Sequence, residues 1–224
     1  MAPLEIILAR HGQTAANAEG RLQGSGLNPP LNERGERQAA ALGAALKDGR
    51  LDWIVASAME RAIQTADAVA KHHAEAARHS DARLNEISWG ELDGVKFGEA
   101  RPRLSAVVQR WTTGDFDARV AGGESANDGK ARVLAAFADI LRTARERQYR
   151  RIILCIHGRI MRVMMAALVD KDLGKMDKYT HTNCCYNVIR AEVDDSAPGT
   201  DPDEVDFVPV RLDVRDHLAA VRAD

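Results

Sequence analysis

The stretch Leu4-Glu5-Ile6-Ile7-Leu8-Ala9-Arg10-His11-Gly12-Gln13-Thr14 decides the architecture. Residues 4–9 form an apolar run of strand length that delivers Arg10 and His11 side by side at its carboxyl end, with Gly12 next. Parallel α/β sheets open their ligand crevices just beyond such strand ends. A second apolar run, 152–156, ends in His157-Gly158. Two histidines are therefore expected at one edge of one sheet.

Outward from these runs, apolar segments of strand length alternate with longer segments of helical period, which is the pattern of a layered α/β protein. The expectation is a three-layer α/β/α sandwich with a largely parallel central sheet, spanning 1–224 as a single domain. Residues 12–30 read as a polar, glycine-rich loop. Asn32 caps a helix over 33–47, residues 52–56 form a strand ending at Ser57, and Ile63, Ala66, Val69 and Ala70 mark a helix over 59–73. Residues 83–87 read as a short strand or extended piece. Helices follow over about 98–111 and 124–147, separated by a loop with Gly114, Gly122 and Gly123. A strand over 151–156, a helix over 160–169 and strands over 186–193 and 205–212 complete the order. The last two strands are joined by an acidic link, 194–206, that holds Pro198, Gly199 and Pro202 and reads as a solvated turn.

With 224 residues, 45% hydrophobic and 29% charged, the chain suits one sizeable globular domain. The formal net charge of -2 argues against a nucleic-acid partner, so any positive charge at a site must be local. There is no run of 18 apolar residues and no basic, apolar leader at Met1-Ala2-Pro3-Leu4-Glu5, so a membrane partner is not expected. Cys155, Cys184 and Cys185 follow no metal-ligand spacing and no secreted framework. A reducing, cytoplasmic location is expected. Nothing in the pattern fixes the oligomeric state, and a homo-oligomer is compatible with it.

The polar residues at strand ends suggest chemistry. Arg10 and His11 close the first strand, Arg61 lies one turn into the helix after the second, Glu86 lies in the third extended piece and His157 closes a later strand. Taken singly, a strand-end histidine is usually a local hydrogen-bonding group and a helix arginine usually faces solvent. Together, two guanidinium groups near two imidazoles make a compact site for a phosphoryl dianion, because arginine offers forked donors matched to phosphate oxygens.

The same residues carry a family resemblance. Arg10-His11-Gly12-Gln13-Thr14 with Asn17, Gln23-Gly24 and Leu31, then residues 57–66, Leu84-Asn85-Glu86 with Gly90 and Gly94, Gly123-Glu124-Ser125 and His157-Gly158 resemble the histidine phosphatase superfamily in order and spacing over about 4–167. Asn183 and Asp216-His217-Leu218 are similar to tails of its low-specificity phosphatases. The resemblance implies that His11 attacks phosphorus as a neutral imidazole and forms a phosphohistidine. It implies that Arg10, Arg61 and a protonated His157 surround the transferring group, and that Glu86 starts protonated and serves as general acid, then base. Asn17, Gln23, Gly24 and Gly158 match substrate-binding positions, and no metal or other cofactor is implied.

Within that family the expectation is a phosphomonoesterase for a small phosphorylated metabolite, a sugar phosphate or phosphoglycerate. The mutases it resembles carry a proline-rich insertion between the acid and the second histidine, whereas here 86–157 holds only Pro102. Mutase-type phosphoryl transfer is the alternative within the family, and a catalytically silent phospholigand-binding module the alternative outside enzymology. Residues 95–123 are expected to form a cap over the site, with Glu124 and Ser125 at its rim. His181 precedes Asn183 and is within reach of the site or at the surface. His72, His73 and His79 lack metal spacing.

Overall fold

The structure is a computed structural model that describes residues 3–192 and 201–222 of the chain. In order, the elements are β1 (Leu4–Arg10), α1 (Ala15–Ala18), α2 (Glu33–Leu46), β2 (Trp53–Ser57), α3 (Glu60–Ala70), β3 (Ala77–Asp81), α4 (Phe97–Thr112), α5 (Ala126–Glu146), β4 (Arg151–Ile156), α6 (Gly158–Met165), β5 (Tyr186–Glu192), β6 (Asp206–Val214) and α7 (Ala219–Arg222). Short 3-10 turns lie at Ala82–Leu84, Gly90–Leu92, Leu173–Lys178 and Asp216–Leu218, and a π turn at Ala166–Asp170 continues α6.

The six strands form one sheet in the order β3-β2-β4-β1-β5-β6. β3, β2, β4 and β1 are parallel, β5 is antiparallel to β1, and β6 is antiparallel to β5, so five strands share one direction. Central strands covered on both faces read as unbroken apolar runs. Accordingly Ile6, Leu8, Val55, Ile152, Leu154 and Ile156 join the core on one face, with residues of α5 and α6. Ile7, Ala9, Ile54, Ala56, Ile153 and Cys155 join the core on the other, with residues of α2 and α3. The expected three-layer sandwich is thus what forms.

The sheet corrects one local expectation. Residues 83–87 are not a strand: the strand lies earlier, at Ala77–Asp81, and the chain then turns through Ala82–Leu84. β3 is an edge strand whose side chains His79 and Ser80 are exposed, so no apolar period betrays it, and pairing with β2 defines it. The 12–30 segment is not wholly a loop, because Thr14 caps α1. Asn32 caps α2 as expected, its Oδ1 accepting from Gly35 N at 2.8 Å. Of the acidic link, 194–200 lies outside the described residues. No helix among the described residues is long and apolar enough to cross a membrane.

β1 and β4 are adjacent, and the helix that follows β1, α2, packs on one face of the sheet while the helix that follows β4, α6, packs on the other, so the chain leaves these two strand ends for opposite faces. A crevice opens at such a switch point, at the carboxyl ends of the strands.

Candidate active site

The register of β1 and β4 pairs Arg10 with Ile156, so the next residues, His11 and His157, emerge level with one another. Their ring centroids are 5.1 Å apart. Both rings are buried. His11 Nδ1 lies 2.7 Å from the carbonyl oxygen of Gly12. A carbonyl can only accept, so Nδ1 carries the proton and Nε2 keeps its lone pair. Burial first, then the charges of Arg61 and Arg10, hold the His11 imidazole well below the ordinary histidine range, against the raising effect of the Gly12 hydrogen bond. It is neutral at pH 7.

Arg10 has its backbone fixed on both sides, N–H to the Cys185 carbonyl at 3.0 Å and carbonyl from Cys184 N–H at 3.1 Å. Its Nη1 donates to the carbonyl of His181, while its buried Nε has no hydrogen-bond partner among the described residues. Arg61, from the first turn of α3, is fully buried. Its Nη1 donates to Leu27 O at 2.8 Å, its Nη2 to Gly24 O at 3.3 Å and its Nε to His157 Nδ1 at 3.2 Å. Burial pulls Arg61 down to about 10, with the nearby Glu86 acting against that, so it stays charged at neutral pH.

The Arg61 bond settles the state of His157 and corrects the expectation of an imidazolium. Nδ1 accepts from Arg61, so the proton is on Nε2, which donates to Ser57 Oγ at 2.6 Å. Burial first, then the charges of Arg61 and Arg10, hold His157 well below its ordinary range. A second proton would face two guanidinium groups in a site without bulk water.

Glu86 is buried at the amino end of α6. Its Oε1 accepts from Ile87 N and Ile160 N and its Oε2 from Arg159 N, each at 3.0 Å. A carboxyl group there satisfies amides that the first helical turn leaves open. Glu86 acts against the lowering of Arg10 and Arg61 by burial, which places it electrostatically within the same cluster.

Asn17 and Gln23 reach the site as supports. Asn17 completes the capping box of α1 with Thr14 and accepts from Asn183 Nδ2 at 3.3 Å. With its amide oriented by its neighbours, Gln23 accepts from Arg61 Nη1 at 2.9 Å and donates to Thr14 Oγ1 at 2.7 Å. Gly24 and Gly158 matter through the lack of a side chain. A Cβ at Gly24 would fall 2.3 Å from Asp93 Oδ1 and 2.4 Å from Ile87 O, and one at Gly158 would fall 3.3 Å from Arg10 Nε.

Ser125 and Glu124 do not form a rim. Ser125 is the buried N-cap of α5, and the Glu124 side chain is engaged by Arg132 and Ser88. Three neighbours of the site were not among the expected site residues. Ser57 orients His157, and Asn183 Nδ2 donates to His11 O at 3.1 Å. Thr65 Oγ1 accepts from Gly12 N at 3.1 Å. Ser57 had a signal, its place at a strand end, whereas Thr65 had none beyond helical spacing. His181 is at the site rather than the surface: its ring lies beside Gly158, and burial together with Arg10, Arg162 and Arg159 pulls it down to about 3. The buried thiols are pushed up, Cys155 to about 12 and Cys185 to about 11, which suits small core residues rather than nucleophiles.

The arrangement therefore offers one neutral imidazole with a free lone pair, two guanidinium groups, a second imidazole that donates, and a carboxyl group. That set can accept a phosphoryl group and move a proton.

A family model of the histidine phosphatase superfamily, branch 1, matches residues 6–197. Phosphoserine phosphatase 1 of Hydrogenobacter thermophilus is 31% identical over 190 residues, covering 84% of this chain and 87% of that protein. A 2,3-bisphosphoglycerate-dependent phosphoglycerate mutase of Methylobacterium radiotolerans is 36% identical over 169 residues, covering 73% and 78%. Among solved structures, a mycobacterial glucosyl-3-phosphoglycerate phosphatase has the same fold, with a TM-score of 0.81 over 95% of this chain and 100% of that chain at 23% identity.

Proposed function

The chain belongs to the histidine phosphatase superfamily, branch 1, and we propose that it is a metal-independent phosphomonoesterase that hydrolyses small phosphorylated metabolites, sugar phosphates or phosphoglycerates, through a phosphohistidine at His11. The observation that carries this reading is the His11 Nδ1–H bond to Gly12 O at 2.7 Å, which aims an unprotonated Nε2 from a ring held neutral by burial and two arginines.

In the first step His11 Nε2 bonds to phosphorus as the ester P–O bond breaks, and Glu86 gives its proton to the leaving oxygen. In the second step Glu86 removes a proton from water, the water oxygen bonds to phosphorus, and the P–N bond breaks to release phosphate. Arg10 and Arg61 stabilise the equatorial oxygens, with the unpartnered Arg10 Nε an open donor for one of them, and the Nε2–H of His157 joins them by exchanging Ser57 Oγ for a substrate oxygen. Asn17, Gln23, Gly24 and Gly158 shape the phosphate pocket, directly or through Arg61 and Arg10.

Residues 95–123 act as the cap. Within them Trp111 stacks on Trp89 at 5.7 Å, and the Arg159 guanidinium lies 5.6 Å from the Trp111 ring, two residues beyond His157. The 31% identity to a phosphoserine phosphatase supports hydrolysis of a small monoester. The 36% identity to a mutase favours phosphoryl transfer as a second reading, and the single proline between Glu86 and His157 weighs for hydrolysis. The three free cysteines support a cytoplasmic location, and the net charge of -2 supports a small-molecule partner over a nucleic acid.

A phosphoester panel run in the presence of a chelator tests the proposal. Phosphate release by the wild type, its loss in His11→Ala, and an acid-labile phosphoprotein on rapid quench are expected. Phosphoryl transfer to an acceptor exceeding hydrolysis would overturn the choice of branch.

A further inference from the structure

Glu86 lies on backbone that no strand holds. After β3 the chain turns at Ala82–Leu84 and runs irregularly to Gly90, so the carbonyls of Arg83, Asn85 and Glu86 must find partners elsewhere. One side chain meets all three. Arg132, on α5, donates from Nη1 to Arg83 O and Asn85 O at 2.8 Å each and from Nη2 to Glu86 O at 3.0 Å. The other edge of the same guanidinium binds Glu124, Nε to Oε1 at 2.7 Å and Nη2 to Oε2 at 2.8 Å.

Glu124 holds the chain on the far side of Glu86. Its Oε2 accepts from Ser88 N at 3.0 Å, and its own N–H donates to Ser88 O at 2.9 Å. Burial acts against the Glu124 charge, and the bonds from Arg132 and Ser88 outweigh it, holding the carboxyl below the ordinary glutamate range. Glu124 is ionised at neutral pH. Residues 83–86 are thus tied to α5 through Arg132, and residue 88 through Glu124 beside the Ser125 cap of that same helix.

We propose that Arg132 and Glu124 are positioning residues that fix the Glu86 carboxyl for proton transfer to the leaving oxygen. The inference rests on Glu86 being the general acid of the proposed phosphatase. The planar fork of arginine is what allows five bonds from one group, and a lysine ammonium cannot reproduce it. Proton transfer is sensitive to placement at the scale of an ångström.

The test varies the leaving group. Wild type, Arg132→Lys, Glu124→Gln and Glu86→Gln are compared by kcat/KM on 4-nitrophenyl phosphate, whose leaving group needs little protonation, on phenyl phosphate and on an alkyl phosphate. Glu86→Gln should lose far more on the alkyl ester than on the nitrophenyl ester. Both strut variants should show the same selectivity in smaller measure, losing about 10- to 100-fold on the alkyl ester and less than about 3-fold on the nitrophenyl ester. Equal losses on all three esters, or no loss, would reduce the pair to a structural support and overturn the proposal. Should Arg132→Lys fail to fold, Glu124→Gln, which keeps the three carbonyl bonds and the side-chain volume, is judged by the same criterion. A wild type inert on all esters refutes the phosphatase reading itself. An unselective Glu86→Gln refutes the acid assignment, and a selective Glu86→Gln beside unselective strut variants refutes this inference alone.

Discussion

Ser57 Oγ and His157 Nε2 lie 2.6 Å apart at the carboxyl ends of neighbouring strands β2 and β4, and with Arg61 on Nδ1 this bond defines the tautomer of a fully buried imidazole. Both ring nitrogens have roles before any substrate oxygen arrives. Ser57→Ala would leave the Nε2–H of His157 buried without its acceptor. Urea unfolding should show a loss of about 1–3 kcal/mol. Activity should fall less than in His11→Ala, and unchanged stability would show that the bond is dispensable.

Arg61→Lys retains a charge and removes the fork that serves Leu27 O, Gly24 O and His157 Nδ1 together. Two loop carbonyls and an imidazole then lose their donors, and a point charge replaces the planar guanidinium proposed to stabilise the phosphoryl group. A drop in kcat/KM of about 100-fold or more is expected, comparable to loss of an oxyanion donor. A lysine variant within a few fold of wild type would remove Arg61 from the phosphate clamp.

Gly24→Ala places a methyl group 2.3 Å from Asp93 Oδ1 and 2.4 Å from the Ile87 carbonyl, one of them backbone that cannot swing away. The loop must shift, and with it the carbonyl that Arg61 holds. Overpacking of this kind destabilises by about 1–3 kcal/mol. Thermal unfolding should report that loss together with reduced kcat, and a variant with wild-type melting and turnover would contradict the packing seen here.

Stability should fall on mild acidification. His11 and His157 both have folded-state pKa values well below the ordinary 6.5. Above 6.5 both are neutral in folded and unfolded chains and contribute no pH dependence. Below it the unfolded chain takes up protons that the native site refuses, so native stability is lost as pH falls from 6.5 toward the depressed folded values. Each such histidine contributes a slope of about 1.4 kcal/mol per pH unit. Urea midpoints at pH 7.0, 6.0 and 5.5 should decrease, and His157→Asn should flatten the slope by one proton. A midpoint that is level or rises over that range would contradict the neutral pair.

Much of the site was legible because its residues sit at ends of elements that announce themselves. Residues 4–9 and 152–156 are apolar enough to be strands in any context, so Arg10, His11 and His157 are carried to the same edge by strand pairing. Glu86 was legible by its place in the order of motifs, although the strand expected around it is the turn and irregular chain after β3. Edge pairing of a polar segment leaves no period in the residues, which is why Ala77–Asp81 was misplaced. Arg132 had no signal at all: a helical arginine among charged neighbours looks solvated until its five partners are in place.

The order of residues is enough to determine which elements form and which side chains stand at their carboxyl ends, because apolar periodicity and capping are local properties. Charge state and donor direction are not local. His157 reads as an imidazolium when it is only a histidine near a phosphate site, and becomes a neutral donor to Ser57 once Arg61, Arg10 and His11 surround it in a buried cluster. Tertiary structure alone decided that, since desolvation and the field of neighbouring guanidinium groups exist only after residues 10, 61 and 157 have been brought from distant parts of the chain into one low-dielectric site.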